Sequence, residues 1–151
     1  MVDASYDIQR QITGIGIVVH QTNKPKRNGV VIEQILEAYS GVPASTAEKF
    51  AVLRALEIAL ERGYQIIKVR SDYNTMRRKL KKSYKALTIH SETDDLHSII
   101  LRLAKTFREV KFAYQPRRRN QNAHILAKRA LKEKEPQKRP DIFKLGSSEK
   151  I

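Results

Sequence analysis

The order of strand and helix patterns along the chain constrains its fold more than any other feature. Apolar, β-branched stretches at residues 1–6, 14–20 and 30–39 predict three strands with short connections, typical of an antiparallel meander. Helical and strand patterns then alternate. Helices are predicted at residues 45–62, 74–82, 91–107 and 120–134, and strands at residues 66–70 and 110–114. This order predicts an α/β fold in which helices cover a mixed sheet.

The chain length and the C-terminal composition predict the domain organisation. A chain of 151 residues fits one domain of ordinary size, which we assign to residues 1–135. Residues 136–151 contain two prolines, a Gly-Ser-Ser sequence and scattered charge, so we expect a basic, flexible tail. Its apolar residues Ile142, Phe143 and Leu145 are candidates for docking on the domain.

The charge of the chain predicts a polyanionic partner. There are 30 Lys and Arg against 16 Asp and Glu, a formal net charge of +14, which favours nucleic acid. The lack of cysteine excludes disulfides, zinc–thiolate sites and thiol nucleophiles. No apolar run approaches the roughly 20 residues of a membrane span. Because the N-terminus also lacks a signal-peptide pattern, we expect a cytoplasmic protein without a membrane partner.

Three acidic residues occupy positions that are unusual for acids. Asp3 lies in the first predicted strand, where aspartate is depleted, although it could be a frayed terminal residue. Glu48 lies on the sheet-facing side of the first helix, and its alternative role is a capping box with Ser45. Asp72 follows the fourth strand, where α/β sheets place ligands, unless it simply caps the next helix.

The joint arrangement of these acids predicts a metal site. If the first and fourth strands are neighbours, Asp3, Glu48 and Asp72 can meet at one end of the sheet. Crowded carboxylates repel one another, and a hard divalent cation relieves that repulsion. Oxygen ligands favour Mg²⁺ or Mn²⁺, which are therefore the expected cofactors.

Five segments of the chain resemble the successive motifs of ribonuclease H type 1 domains, including their small reverse-transcriptase-like members. They are VDASYD, TGIGIVV, STAEKFAVLRALEIAL, IIKVRSDYNTMRRKL and PRRRNQNAHILAKRA, within about residues 1–131. The most specific are AEKFAVLRAL around Glu48, the pair Ser71 and Asp72, and residues 116–123. The resemblance implies a five-stranded mixed sheet, three antiparallel strands and then two parallel ones, flanked by helices. It also implies hydrolysis of phosphodiester bonds by a two-metal mechanism.

The last motif departs from the family at one position. The family's motif ends in Ala-Asp, whereas His124 follows Ala123 in this chain. The resemblance implies that Asp3 binds both metals, that Glu48 and Asp72 bind one, and that position 124 binds the other. Imidazole is a poor ligand for Mg²⁺ and an acceptable one for Mn²⁺. The alternative is that His124 is an ordinary helix residue over a retired site.

Basic and polar residues near the acids predict contacts with nucleic acid. These residues are Ser5, Asn74, Arg117, Arg118, Arg119 and Asn120. They could reach phosphates or the ribose 2′-OH that distinguishes RNA from DNA. A second basic cluster, at residues 77–82, follows Asp72, and a third, at residues 24–27, is more simply a solvated turn. The sequence has no Gly-rich phosphate loop, so no small-molecule cofactor is expected.

These observations leave two main hypotheses for the function. The first is a metal-dependent endoribonuclease that cleaves the RNA strand of RNA–DNA hybrids, weakly with Mg²⁺ and better with Mn²⁺. The second is a catalytically impaired nucleic-acid-binding module on the same fold. The loop at residues 115–119 favours the second, because many relatives have a histidine or glutamate there and this chain has neither. A third hypothesis, a DNA nuclease of the resolvase or transposase kind, is weakened by Glu48, which is typical of the ribonuclease H branch.

Overall fold

The computed structural model describes residues 1–21, 29–86 and 95–143. In chain order the elements are β1 (Val2–Asp7), β2 (Ile12–Gln21), β3 (Val30–Ser40), α1 (Ala47–Glu61), β4 (Ile66–Ser71), α2 (Asn74–Ala86), α3 (Asp95–Ala104), β5 (Glu109–Tyr114), α4 (Gln121–Glu133) and β6 (Gln137–Lys138). Short 3₁₀ turns at Ala44–Thr46 and Arg117–Arg119 precede α1 and α4. The basic turn predicted at residues 24–27 and the apolar Leu145 lie outside the described residues.

The strands form two sheets, which corrects the expectation of one five-stranded sheet. Strands β1, β2 and β3 are antiparallel neighbours, as predicted, and β6 adds to β3 in parallel. Strands β4 and β5 form a separate parallel pair. Strand β1 lies beside β4, but no hydrogen-bonded ladder joins the two in the described part of the chain. Hydrophobic periodicity indicates which faces are buried, and it does not report whether neighbouring strand edges form hydrogen bonds.

Helix α1 packs between the sheet and α3, and most of its apolar residues are buried there. Phe50, Leu53 and Leu56 have no exposed surface. The helix ends as predicted, with Gly63 just beyond it at a φ of +77°, a conformation that glycine adopts without strain. Its start differs from the predicted capping box, because the N-cap is Thr46 and not Ser45. The Thr46 hydroxyl donates to the Pro43 carbonyl at 2.8 Å, so it does not cap the helix.

Two glycines of β2 bring α4 into backbone contact with the sheet. A Cβ atom on Gly16 would lie 2.1 Å from the carbonyl oxygen of Ala123, and one on Gly14 equally close to that of Ala127. Real Cβ atoms do not approach backbone oxygens so closely, so these positions need glycine. Because Asp3 pairs with Gly16 across the β1–β2 ladder, this close packing brings the first turn of α4 towards Asp3.

Residues 137–143, which lie in the segment predicted to be a tail, pack on the domain. Strand β6 pairs with Tyr39 and Ser40 at the end of β3. Ile142 and Phe143 are partly buried against the core, and Arg139 forms ion pairs with Glu57 of α1. Ile142 and Phe143 were candidates for docking in the sequence, but their partners could not be predicted because they are distant in the chain. The domain therefore includes at least residues 1–21, 29–86 and 95–143.

Within residues 1–21, 29–86 and 95–143, no helix combines the length and the apolar composition needed to cross a bilayer.

Candidate metal centre

Asp3 is buried at the boundary between the two sheets. It lies in β1, next to β4, and only 4% of its surface is exposed, so it is not a frayed terminal residue. Burial raises the pKa of its carboxyl above the ordinary value, and the negative charge of Asp72 adds to that shift. A hydrogen bond with His124 acts in the opposite direction.

Glu48 projects from the first turn of α1 toward the same point. Burial raises the pKa of its carboxyl to about 8, and the charges of Asp3 and Asp72 contribute to that shift. Its Oε2 atom is buried and has no hydrogen-bond partner among the described residues. The capping-box alternative is therefore wrong, because that arrangement needs a side-chain cap on α1 and none is formed.

Asp72 lies in the turn between β4 and α2, and the preceding residue fixes that turn. Ser71 is buried, and its hydroxyl accepts a hydrogen bond from the Tyr73 N–H at 3.1 Å. The Ser71 carbonyl accepts another from the Gln115 N–H at 2.9 Å, which ties the ends of β4 and β5 together. Sequence analysis did not assign this role to Ser71, although its place in the resembling motif was a usable signal.

The three carboxylates form one cluster with the geometry and chemistry of a cation site. Asp3, Glu48 and Asp72 each offer an oxygen, and these oxygens lie within 4.8 Å of one another. Hard divalent cations such as Mg²⁺ prefer such all-oxygen sites. The unpartnered Glu48 Oε2 atom is costly to bury unless a ligand satisfies it. The residues present therefore fit a divalent cation.

His124 lies at the border of this cluster, on the first turn of α4. Its Nδ1 atom is 2.7 Å from Oδ2 of Asp3, and 43% of its side chain is exposed. In this arrangement a hydrogen bond with the imidazole occupies one oxygen of Asp3. His124 therefore contacts the most buried acid of the cluster, and its role in cation binding stays a prediction.

The arginine turn predicted to contact nucleic acid reaches the cluster through Arg117. Arg117, Arg118 and Arg119 form the exposed 3₁₀ turn that leads into α4. The Arg117 Nε atom is 3.6 Å from Oδ2 of Asp72, yet 88% of the Arg117 side chain is exposed. An ion pair so exposed is weak, so Arg117 is free to exchange this contact for a phosphate.

The three polar residues predicted to contact nucleic acid differ in exposure. Ser5 and Asn74 are partly exposed, and the Asn74 side-chain oxygen accepts hydrogen bonds from Arg77. Asn120 is fully buried, and its amide donates to the Val2 carbonyl at 3.0 Å. That bond ties the start of α4 to β1 beside Asp3. Asn120 therefore holds the scaffold of the site and does not face solvent.

The chain belongs to the reverse transcriptase-like family, whose model matches residues 1–130, and the predicted ribonuclease-H-like family is confirmed. Ribonuclease H1 of the archaeon Halobacterium salinarum NRC-1 has a similar structure, with 21% identity and a TM-score of 0.66, over 87% of this chain and 95% of that one. The N-terminal ribonuclease H domain of a Mycobacterium tuberculosis protein has 22% identity and a TM-score of 0.67, over 87% and 90%.

A third similar structure is LC11 ribonuclease H1 in complex with an RNA/DNA hybrid. It has 19% identity to this chain and a TM-score of 0.66, over 87% of this chain and 94% of that one. At these identities the likeness establishes the fold. No curated protein matches this chain.

Proposed function

We propose that this chain is a metal-dependent endoribonuclease that cleaves the RNA strand of RNA–DNA hybrids. The observation that carries the proposal is the partly buried cluster of Asp3, Glu48 and Asp72, whose oxygens lie within 4.8 Å of one another. Family membership supports it, as does the hybrid bound to a protein of similar fold. The net charge of +14 favours a polyanionic substrate.

The proposed division of roles follows from the position of each side chain. Asp3, Glu48 and Asp72 would hold Mg²⁺ or Mn²⁺, and His124 would complete a second cation position. Bound cations of this kind activate water and stabilise the leaving oxygen of a phosphodiester. Because the pKa of Glu48 is about 8, cation binding near neutral pH would displace a proton from this cluster.

The nucleic acid would be held by exposed or partly exposed basic and polar residues that are close in sequence to the acids or to His124. Arg117, Arg118 and Arg119 would contact phosphates, which gives affinity that falls with salt. Ser5 and Asn74 are partly exposed near the acids and would meet the backbone or the ribose 2′-OH. Asn120 would act indirectly, by holding α4 to β1.

His124 motivates a second candidate function, a nucleic-acid-binding module with impaired catalysis. Its hydrogen bond to Asp3 competes with a cation for that oxygen. His124→Asp separates the two candidates, because it restores the acid of the family motif. We expect this variant to raise Mg²⁺-supported cleavage above that of the parent.

The experiment compares hybrid cleavage with Mg²⁺ and with Mn²⁺ for the parent, His124→Asp and Asp72→Asn. Asp7→Asn is a matched control, because Asp7 lies at the opposite end of β1 and pairs with Arg10. Asp72→Asn should abolish cleavage, and Asp7→Asn should leave it unchanged. If the parent and His124→Asp are both silent with Mn²⁺ while hybrid binding persists, the binding module is the correct function.

A further inference from the structure

The C-terminal segment Gln137 to Phe143, called the strap below, contacts α1 through Arg139 and Phe143. It begins with β6, whose residues pair with Tyr39 and Ser40. It ends in a tight turn, in which the Arg139 carbonyl accepts hydrogen bonds from the N–H groups of Ile142 and Phe143 at 3.1 and 2.9 Å. The turn directs Phe143 back onto the domain.

Arg139 fastens the strap to α1 through two parallel hydrogen bonds. Its Nη1 and Nη2 atoms lie 2.8 and 2.9 Å from the two carboxylate oxygens of Glu57. Asp141 binds the same guanidinium at 2.9 Å, and only 16% of the Arg139 side chain is exposed. A two-point arginine–carboxylate contact fixes orientation as well as distance. The strap therefore has a defined position along α1.

Phe50 is the residue of α1 on which the strap converges. The Phe143 ring packs edge-on against the Phe50 ring, with 5.4 Å between centroids, and the Arg139 guanidinium lies 5.6 Å from the centre of that ring. Tyr39 contacts Phe50 edge-on from the β3 side at 4.8 Å. Phe50 has no exposed surface. Contacts of both kinds are directional, so they restrict how this part of α1 can rotate or slide.

Phe50 follows Glu48 by two residues, within the first turn of α1. Among the described residues, no side chain caps this turn, which begins directly after a 3₁₀ turn. Its orientation therefore depends on packing rather than on a cap. Tyr39 and the strap provide that packing on Phe50, on the turn that also carries Glu48 toward Asp3 and Asp72.

We propose that the strap positions Glu48 for cation binding, with Phe143 and Arg139 as positioning residues that act through Phe50. This inference rests on the proposed function, since it assigns a second set of residues to the same metal centre. It predicts that changes in the strap weaken cation binding in protein that is still folded. If the strap had only a structural role, the same changes would lower the free energy of unfolding without weakening cation binding.

The test is a calorimetric titration of the full chain with MnCl₂, together with urea unfolding of the same samples. We expect Phe143→Ala and Arg139→Gln to bind Mn²⁺ about fivefold more weakly than the parent, which is typical of coupling between packed residues. Phe143→Tyr keeps the ring and should restore parental affinity. Arg129→Gln is the matched control, because Arg129 forms a similar two-point pair on the exposed face of α4. It should bind Mn²⁺ like the parent.

The outcomes separate this inference from the proposed function. If the parent binds Mn²⁺, Asp72→Asn does not, and the strap variants match the parent while unfolding at lower urea, the positioning role is refuted and the metal centre stands. If the parent shows no saturable binding, both proposals fail. Should Phe143→Ala not fold, Phe143→Leu replaces it, and its affinity must lie below that of Phe143→Tyr.

Discussion

Glu48 and Glu57 of helix α1 have opposite surroundings. Burial acts to raise the pKa of Glu57, but hydrogen bonds from Arg139 and Arg54 outweigh it, so the pKa falls below its ordinary value. Burial and the charges of the neighbouring acids Asp3 and Asp72 together raise the pKa of Glu48 to about 8. One glutamate belongs to an ion-pair network with Arg54, Arg139 and Glu37, whereas the other belongs to a cluster of acids.

The difference separates acids that are paired within the fold from acids that we propose bind a cation. A chain with 30 basic residues has ample means to neutralise three acids, and it does so for Glu37 and Glu57. At the acidic cluster the exposed Arg117 lies 3.6 Å from Asp72, and the partly exposed His124 lies 2.7 Å from Asp3. Crowded, poorly compensated carboxylates cost stability, which is consistent with a site adapted to a cation.

The largest effect is expected from removing the most buried acid of the cluster. Asp3→Asn should lower hybrid cleavage about 1,000-fold, equivalent to roughly 4 kcal/mol of activation free energy, because a ligand to both metals is lost. The same change should raise the free energy of unfolding by about 1 kcal/mol without metal, because it relieves repulsion. Cleavage assays and urea unfolding measure the two effects. A loss of both activity and stability would contradict the claim that crowding of these acids destabilises the metal-free protein.

The ion-paired acids should matter for the free energy of unfolding and have little effect on hybrid cleavage. Arg54 binds Glu37 through two hydrogen bonds of 2.8 and 2.9 Å and Glu57 through one of 2.7 Å. Arg54→Met should lower the free energy of unfolding by about 3 kcal/mol, because it leaves two partly buried carboxylates without this partner. Since Arg54 is distant from the acidic cluster, hybrid cleavage below the melting range should stay within about threefold of the parent.

The two glutamates should also give opposite dependences of stability on pH. Glu48 has a folded pKa of about 8 against an ordinary value of 4.5, so the folded state holds the proton more tightly. Between these values the metal-free protein should lose stability as pH rises, on the order of 2 kcal/mol after allowance for its partial exposure. Glu57, whose pKa is lowered, contributes stability above its unfolded pKa that is lost as pH falls through the folded pKa.

Urea unfolding between pH 5 and 9 measures this dependence. Glu48→Gln should flatten the decline toward pH 8, and saturating Mn²⁺ should abolish it, because the cation replaces the proton. An unchanged pH profile in Glu48→Gln would show that Glu48 does not carry the shift.

The smallest effect is expected at the ion pair of Arg62 and Glu33. It has the same arginine–carboxylate chemistry as the network around Arg54, but it is more exposed. Arg62 contacts both oxygens of Glu33, but the two side chains are 36% and 32% exposed. Arg62→Gln should leave the urea midpoint unchanged within experimental error, because solvent screens such pairs. A loss comparable with that of Arg54→Met would mean that burial does not explain the difference between the two pairs.

Much of the site was predictable because its residues violate local rules. Aspartate in a strand, and a glutamate on the apolar side of a helix, are visible in the sequence as Asp3 and Glu48. Asp72 followed from its place at the end of a strand. The structure brings all three together. Their metal ligation and the metal-binding role of His124 stay predictions.

The features that were missed depend on contacts between distant parts of the chain. Arg139 and Glu57 are 82 residues apart, and neither lies in a pattern that indicates the other. Asn120 is buried, and its side chain donates a hydrogen bond to Val2, 118 residues earlier. Whether β1 and β4 form a hydrogen-bonded ladder depends on the geometry of their edges, and residue periodicity does not encode that geometry.

The central claim is that Asp3, Glu48 and Asp72 form a divalent-cation site, and anomalous diffraction from crystals containing Mn²⁺ tests it most directly. We predict an anomalous peak between the three carboxylates, with oxygens of all three residues within about 2.0–2.4 Å of it. A well-diffracting crystal with Mn²⁺ bound elsewhere, and no peak between these acids, would contradict the claim.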